Sequence, residues 1–534
     1  MADDPAAVAL AYHLRTRHAP YAYARALSYM DWETQPDPFR RYEGAPVVLL
    51  ERTPRASTQP TYDTVVDSEF PPPAPLDWDS VSRLFLDSLA LSAWKEVGDI
   101  RWSLRVNPSS GNLHPTEAYL VCGPVADIAD IPAVYHYSSM HHGLERRATL
   151  PESTWRRLAA DLPEHPALVG LTSIPVRESW KYGERAFRYC QHDLGHAIAA
   201  VSLAAAALGW RTRLLDSVPD ASVASLLGIA DQSGDEAEIA ECLLALYPAD
   251  ADLPLAQWQH YRTPSLPPVA WAGEPSPLGK DHQDWPVIGA VALATRSHGR
   301  TSEWVESAPR ASSGVRRPGS FQGIVRQRRS AVEMDGKTFM DREHFLRTMR
   351  RLLPGGPPFD AFPWSPAVHP FFFVHRVRGL DPGVYALLRG PVEPGAFGIP
   401  GGWVQVEAGL PLFRVRAGDV RMVASSVSCG QAIAGDGAFA VAMLSDLASG
   451  LASQGPAFYR RAHWEAGAIG QMLYLEAESD GLRGTGIGCF FDEETHRALG
   501  LPPNSDWRTL YHFTVGGAIE DDRLRTVAPY PPIS

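Results

Sequence analysis

The chain has 534 residues, of which 45% are hydrophobic and 21% charged, a composition typical of a globular protein that buries a sizeable core. Asp and Glu number 61 against 49 Lys and Arg, a formal charge of −12, which argues against a nucleic-acid partner because an acidic chain repels phosphate. No apolar run reaches the roughly 18 residues of a membrane span, and the acidic N-terminus lacks the apolar segment of a signal peptide.

Hydrophobic patterning predicts a mixed chain of strands and helices. Strands are predicted at 116–122, 238–247, 371–377 and 511–516. Helices are predicted at 193–208, 341–353, 437–451 and 465–479. Strands separated by long helices in both halves predict an α+β sandwich whose apolar helices pack at a shared interface. Proline and glycine are dense between about 262 and 316, which indicates a linker or an extended arm.

The two halves of the chain repeat each other. Residues 187–198 and 459–470 each lead into a long apolar helix, and matched positions lie 272 residues apart. A second match, between 108–115 and 363–370, has a spacing of 255 residues, and each copy precedes a strand-like run. A third, shorter match, between 131–135 and 380–385, lies between the other two, and all three occur in the same order in both halves. The sequence therefore indicates a fused pair of similar units.

The usage of cysteine and lysine is informative. The five cysteines form no CxxC motif and cannot all pair: Cys122, Cys190, Cys242, Cys429 and Cys489. Such usage is typical of a reducing compartment, and we therefore predict a cytoplasmic protein. Only four of the 49 basic residues are lysine, namely Lys95, Lys181, Lys280 and Lys337.

The loop 107–112, Asn-Pro-Ser-Ser-Gly-Asn, is the most informative segment. Its hydroxyls, amides and glycine suit the binding of a flat polar ligand, although serine and asparagine also suit a helix N-cap. The copy in the second half has Trp364, Pro366 and Ala367 instead. Because a purely architectural loop would be needed in both halves, the difference favours a ligand.

Two further segments have the chemistry of an anion or flat-ligand site. Arg328, Arg329 and Ser330 offer two guanidinium groups and a hydroxyl to a phosphate, although an exposed run is also expected in so arginine-rich a chain. The run 484–488, Gly-Thr-Gly-Ile-Gly, lacks the strand-to-helix context of a dinucleotide-binding loop. Close approach of its backbone to a flat ligand remains open.

Two other pairs were weighed as sites. His192 and His196 have the spacing of two zinc ligands, but no third ligand is evident, so packing or capping is favoured and no metal is expected.

Lys181 and Tyr182 have Ser453 and Gln454 as their second-half counterparts. A desolvated lysine can lose its proton whereas arginine cannot, so we favour Lys181 as a base. The alternative is a surface lysine beside a packed tyrosine.

Taken together, these segments resemble the FMN-dependent nitroreductase superfamily, and most of all its azoline dehydrogenases (SagB-type) from thiazole/oxazole-modified peptide pathways. The resemblance covers most of about 75–250 and 320–525. It rests on the loop 108–115, the segment 181–189 with Gly195-His196, the Arg328–Ser330 run and the glycines at 484–488.

The resemblance implies an α+β fold of two nitroreductase-like α/β sandwich halves, at 1–265 and 319–534, joined by a linker at 266–318. Family members are typically dimers with FMN at the subunit interface. A fused pair supplies that interface internally, so we expect an intramolecular pseudo-dimer that can be a monomer.

The resemblance also implies roles for individual residues. Arg328, Arg329 and Ser330 would hold the FMN phosphate, and Gly486, Ile487 and Gly488 would lie near the flavin. From the other half, the isoalloxazine would be reached by Pro108, Ser109, Ser110 and Asn112. Lys181 would be the base and Tyr182 its orienting group. The third basic residue often found after Arg-Ser is absent, and Arg523 or Arg525 could compensate.

The implied function is an FMN-dependent dehydrogenase or oxidase acting on a peptide-derived or small heterocyclic substrate. A base would remove a proton, hydride would pass to the flavin, and oxygen or another acceptor would reoxidise it. The first alternative is an NAD(P)H-dependent nitro- or quinone-type reductase, which needs no protein base. An alternative of another class is a flavin-less scaffold that binds a peptide or partner. Neither nucleic acid nor a membrane is expected as a partner.

Overall fold

Two seven-stranded antiparallel sheets, one in each half, form the frame of the molecule. The computed structural model describes residues 4–53, 59–163, 166–251, 260–299, 305, 307–308, 310 and 319–530. The strands of the first half are β1 Tyr42–Glu43, β2 Val47–Leu49, β3 Leu91–Val97, β4 Ile100–Arg105, β5 Thr116–Cys122, β6 Ala133–Ser138, β7 Gly143–Thr149, β8 Ala167–Ser173, β9 Trp210–Leu214, β10 Ile239–Pro248 and β11 Glu274–Pro275. Those of the second half are β12 Met340–Asp341, β13 His369–Val374, β14 Val377–Arg378, β15 Gly383–Leu387, β16 Val404–Glu407, β17 Leu410–Ala417, β18 Phe439–Asp446, β19 Arg483–Ile487, β20 Trp507–Gly516 and β21 Arg525–Val527.

The helices surround and separate the two sheets. Before the second half they are α1 Pro5–Arg15, α2 Tyr62–Val66, α3 Trp78–Leu86, α4 Glu152–Ala159, α5 Pro175–Tyr182, α6 Ala186–Ala207, α7 Asp220–Leu227 and α8 Pro286–Ala294. The remainder are α9 Phe321–Gln327, α10 Arg342–Arg351, α11 Arg421–Val427, α12 Ile433–Asp436, α13 Leu447–Gln454, α14 Phe458–Ser479 and α15 Asp492–Leu499. No helix among these described residues is long and apolar enough to cross a bilayer.

The strand order confirms the internal repeat. The first sheet runs β2-β7-β6-β5-β8-β10-β9 and the second runs β16-β17-β15-β13-β18-β20-β19. Six of the seven positions, from β7 and β17 to the edge strands β9 and β19, match strand for strand along the chain. The strand at the opposite edge differs, because β2 precedes the rest of its sheet whereas β16 forms a hairpin with β17. The expected α+β fold of two nitroreductase-like halves is therefore confirmed.

The long helices α6 and α14 cross at a pair of glycines that the repeat relates to each other. A Cβ placed on Gly195 would lie 2.2 Å from the carbonyl oxygen of Trp464, and one on Gly467 would lie 2.2 Å from that of His192. Neither position has room for a side chain, so the backbones of the two helices touch. Both helices contribute to one buried core shared by the halves, for example through Leu194 and Ile469.

Segments of each half also extend onto the other. Strand β21, from the C-terminal tail, pairs with β3 of the first half to complete a three-stranded sheet with β4. Helix α1 packs near α14, where Tyr12 and Tyr459 meet edge to face. In the segment between the halves, β11 pairs with β1, and α8 packs against α1 and α6.

Most predicted elements agree with the structure, and one is wrong. Residues 437–451 were predicted as a helix, but they form strand β18 and the start of α13. The segment is rich in alanine and leucine, which favour helix locally, yet β18 lies between β13 and β20 and is buried along nearly its whole length. Tertiary burial between two strands has overridden the local preference.

Candidate functional site

A cavity of about 490 Å³ lies where the two halves meet. The first half contributes the loop 107–112, and the second contributes Arg328–Val332 and Thr485–Cys489. The cavity is lined by every residue for which the sequence predicted cofactor binding: Pro108, Ser109, Ser110, Asn112, Arg328, Arg329, Ser330, Gly486, Ile487 and Gly488. Tyr182 also lines it. The volume falls in the range of roughly 300–1,000 Å³ that is typical of small-molecule sites.

The loop is folded by its own polar groups. Asn112 donates its side-chain amide to the carbonyl oxygen of Ser103 at 2.6 Å, and its Oδ1 lies 3.0 Å from Nε2 of His114. The Ser109 hydroxyl accepts the backbone N–H of His114 at 2.8 Å. Gly111 and Asn112 both have positive φ, at 60° and 61°, a conformation that glycine and asparagine tolerate best. Hydrogen bonds to Ser103 and His114, on either side of the loop, thus help to fix its shape.

Helix α6 fixes the loop from below through Asp193. Ser110 donates its backbone N–H and its hydroxyl to that carboxylate, each at 3.1 Å. Burial raises the pKa of Asp193 to about 7, although hydrogen bonds from Ser109 and Ser110 act in the opposite direction. The carboxyl can therefore hold or release a proton near neutral pH.

Lys181 and Tyr182 meet at the glycine of the loop. A Cβ on Gly111 would lie 2.6 Å from Oη of Tyr182 and 3.2 Å from Nζ of Lys181, so both polar groups reach the same edge of the loop. The Tyr182 ring stacks on Tyr189 with centroids 4.2 Å apart. Lys181 lies behind the loop, whereas Tyr182 faces the cavity.

A second buried carboxyl, Glu178, lies one turn before Lys181 on α5 and has no solvent exposure. Its pKa is raised by burial and by Asp193, while Lys181 and Ser109 act to lower it. Burial, followed by Glu178, raises the pKa of the Tyr182 hydroxyl. Sequence reasoning missed both carboxyls. Asp193 could have been found from its match with Glu465 in the repeat. For Glu178, the sequence offered only its helical spacing from Lys181.

The opposite end of the cavity is cationic. Buried Arg328 donates to the carbonyl oxygens of Val106 at 3.2 Å and Arg105 at 3.0 Å, so it also ties the two halves together. Arg329 donates to the Ser92 hydroxyl at 3.3 Å. Burial, and then the neighbouring Arg328, lower the pKa of Arg329 to about 10. An anion at this end would relieve the repulsion between the two guanidinium groups.

Two cations at this end were not predicted. Lys95 of β3 and Arg483 of β19 line the cavity, and burial and Arg329 lower the pKa of Lys95. Arg523 and Arg525, which we expected to compensate for the missing basic residue, are instead 82% and 76% exposed and pair with Asp521 and Glu96. No local motif marks Lys95 or Arg483, because the fold alone brings the two strands together.

Tyr474 of α14 organises the wall between the two ends. Its hydroxyl lies 2.9 Å from Oγ of Ser330 and accepts the backbone N–H of Gly486, also at 2.9 Å. A Cβ on Gly488 would lie 1.9 Å from the ring of Tyr189. The glycine run is therefore part of strand β19 packed against aromatic rings, which leaves the strand's backbone close to the cavity.

The two histidines weighed as a zinc pair have other partners. His192 stacks on Tyr511 with centroids 4.3 Å apart. His196 places Nδ1 at 3.2 Å from Gln471 and Nε2 at 3.2 Å from the Tyr511 hydroxyl. Burial lowers the pKa of both rings, which agrees with a packing role.

The repeat places a smaller cavity at the equivalent position on the other side of the molecule. It encloses about 230 Å³ and is lined by Leu214–Asp216, which match the glycines at 486–488. Inside it, Arg460 donates to Asp220 at 2.7 Å and to Glu241 at 2.9 Å. The repeat keeps one of these pairs, since Arg188 and Asp492 form a buried ion pair at the matched positions of the first site.

Comparison with known proteins decides the family. The model of the nitroreductase family matches residues 87–245 and 406–517, which together make up more than half of the chain. The chain belongs to the nitroreductase family. This confirms the resemblance found in the sequence, and the match has one part in each half.

The repeated architecture is shared with a solved structure. A putative nitroreductase from Anabaena variabilis superimposes with a TM-score of 0.70 at 22% identity, over 96% of this chain and 99% of that one.

A curated relative, the trifolitoxin-processing protein TfxB of Rhizobium leguminosarum bv. trifolii, is 36% identical over 129 residues. That match covers 22% of this chain and 34% of TfxB, so this nitroreductase-family chain matches about a third of the length of that relative.

Proposed function

We propose that this member of the nitroreductase family is an FMN-dependent dehydrogenase or oxidase that acts on a peptide-derived or small heterocyclic substrate. The observation that carries the proposal is the cavity between the halves. One end presents four cations, which outnumber the carboxylates Glu520 and Asp521 beside them, although Arg483 is paired with Glu478. The other end presents the loop 107–112, with Asp193 in the wall next to it.

The cavity fits FMN by its donor set and shape. Arg328, Arg329, Lys95 and Arg483, with the Ser330 hydroxyl, are suited to a phosphate. Strand β19 and Tyr474 form a wall for a flat ring, which the polar loop 107–112 would cover from the other half. When bound, FMN would supply a two-electron acceptor.

The chain's own residues would handle the proton. Lys181 would be the base, and because it does not line the cavity, the proton would reach it through the hydroxyl of Tyr182, which does line the cavity and would also orient the reacting group. Two buried carboxyls lie near this pair, Glu178 one turn before Lys181 on α5 and Asp193 in the cavity wall. Burial raises the pKa of both, that of Asp193 to about 7, so Asp193 can hold or release a proton near neutral pH. A reductase supplied by NAD(P)H would need no such cluster.

The substrate class is suggested by one relative. TfxB is named as a processing protein for trifolitoxin. As part of this proposal, that name supports a substrate that is a peptide or derives from one. The matching segment itself is short.

The first experiment is flavin binding. Purified chain mixed with free FMN and separated from the excess is expected to show a flavin absorption spectrum. Arg329→Ala should weaken binding, whereas Arg156→Ala, which removes an exposed arginine of α4 outside the cavity, should not. A chain that takes up no FMN would overturn the proposal and favour a flavin-less scaffold.

A further inference from the structure

A cysteine pair lies at the rim of the cavity. Cys489 directly follows Gly488 and lines the cavity, and it forms a disulfide with Cys429, with 6.0 Å between their Cα atoms. The two cysteines are 60 residues apart in the chain, and no local motif connects them. Tertiary structure alone brings the turn after α11 against the end of β19.

The pair bridges the cavity and the protein surface. Both cysteines are half-buried, and Gly430, next to Cys429, is exposed. Gln431 lines the cavity and donates its side-chain amide to the carbonyl oxygens of Ser428 at 2.8 Å and Cys489 at 3.2 Å. Cys489 thus lies on the cavity side, and Cys429 lies on the adjoining surface turn.

The other cysteines differ in every respect. Cys122, Cys190 and Cys242 are buried free thiols, and burial raises their pKa values, which makes them unreactive. Disulfides of proteins in a reducing compartment, which the sequence predicts for this chain, are usually transient and catalytic or redox-sensing. Exposed disulfides are also the more easily reduced ones.

We propose that Cys429 and Cys489 form a second redox centre, which accepts the electron pair of the reduced flavin and passes it to an external disulfide. This inference rests on the proposed FMN function and names its electron acceptor. It assigns to the chain a thiol–disulfide exchange activity in addition to substrate oxidation.

The steps balance in atoms and electrons. The Cys429–Cys489 bond takes two electrons and two protons from the reduced flavin and solvent and opens to two thiols, while the flavin returns to its oxidised form. The Cys429 thiolate then attacks an external disulfide and forms a mixed disulfide with one of its sulfurs. Cys489 displaces that sulfur, which restores the internal bond and releases the external molecule with two thiols.

The test measures the formation of free thiols and does not depend on catalytic turnover. FMN-loaded chain is reduced without oxygen by light and EDTA, and accessible thiols are trapped with N-ethylmaleimide and located by mass spectrometry. We expect label on Cys429 and Cys489 only after the flavin has been reduced, and about twice the reducing equivalents that FMN alone consumes. Apoprotein treated in the same way should gain no label, and the three buried cysteines serve as internal controls.

The acceptor is tested next. Oxidised glutathione, or insulin as a disulfide-bearing protein, is expected to restore the oxidised flavin spectrum in the wild type but not in Cys429→Ser/Cys489→Ser. If only one of them reoxidises the flavin, the result shows whether the electron acceptor is a small-molecule disulfide or a protein disulfide.

Two outcomes would overturn the inference, and they are distinguishable. A fully reduced flavin with both cysteines still joined would overturn it and leave the proposed function intact. Failure of the chain to take up FMN would remove both. Because the thiol count uses wild-type protein, poor folding of the double variant would not affect it.

Discussion

Asp193 accepts two hydrogen bonds from Ser110, through the backbone N–H and the hydroxyl, and so fixes the cavity loop to helix α6. Glu465, 272 residues later, holds the copied loop in the same way through the N–H groups of Ala367 and Val368. The copies differ in charge balance. Glu465 pairs with the buried guanidinium of Arg389, whereas the groups that stabilise the Asp193 carboxylate are the neutral Ser109 and Ser110. The repeat thus keeps the anchor in both halves, and burial raises the pKa of both carboxyls, but in the second half the carboxylate is paired with a buried cation.

Asp193→Asn tests the titration of the Asp193 carboxyl. Because the folded pKa is raised to about 7, from about 3.9 in an unfolded chain, the native state binds the extra proton between these values. Stability from this group is therefore present below about pH 4 and is lost as the pH rises towards 7. We expect Asp193→Asn to show a flatter fall in unfolding free energy from pH 5 to pH 8 in urea melts. Asp522→Asn, at an exposed position, is the control; equal slopes for all three proteins would contradict the assignment.

Lys181→Arg should retain the flavin spectrum and lose turnover by about 10²-fold or more, the usual scale for a positioned general base. Arginine keeps the charge but cannot release a proton at neutral pH. Turnover is measured with a substrate that the wild type is shown to oxidise. Lys280→Arg makes the same replacement at an exposed site and should be neutral. Unchanged turnover in Lys181→Arg would make Lys181 a structural residue and favour the NAD(P)H-dependent reductase.

The cation cluster predicts a graded loss of affinity. Arg329→Ala removes a charged donor at the cationic end and should weaken FMN binding by roughly 10- to 100-fold, the equivalent of about 1.5–3 kcal/mol for a charge-assisted hydrogen bond. Lys95→Ala should weaken it in the same direction. Fluorescence titration with free FMN gives the dissociation constants, and equal values for Arg329→Ala and the control Arg156→Ala would contradict the placement of the phosphate.

We expect one FMN per chain, not two. The equivalent cavity on the other side is about half as large, and the copied loop has Trp364, Pro366 and Ala367 in place of polar residues and glycine. Release of flavin by denaturation, quantified against protein concentration, measures the ratio. A value near two would show that the second site also binds.

Gly195→Ala should destabilise the contact between the halves. A methyl group there would meet the carbonyl oxygen of Trp464 at 2.2 Å, and overpacking of this kind costs about 1–3 kcal/mol. The control is Gly289→Ala on α8, where no atom lies within 4 Å, and there alanine should be neutral or stabilise the helix by up to about 1 kcal/mol. Urea unfolding compares the two variants, and an unperturbed Gly195→Ala would mean that the helices can separate at no cost.

Much of the molecule was determined by local sequence. The repeat, the long apolar helices and the loop 107–112 were all visible in the sequence, because side-chain type and spacing are preserved however the chain folds. The alanine- and leucine-rich run that became β18 was not, since its composition fits a buried strand as well as a helix.

The tertiary structure alone decided the rest of the site. It joined Cys429 to Cys489, placed Lys95 and Arg483 at one end of the cavity, and buried Glu178 and Asp193 beneath the loop. These residues lie on different strands and helices, and no short motif connects them. Their reactivity depends on which groups surround them and on how much water is excluded, and both are set only when the two halves pack together.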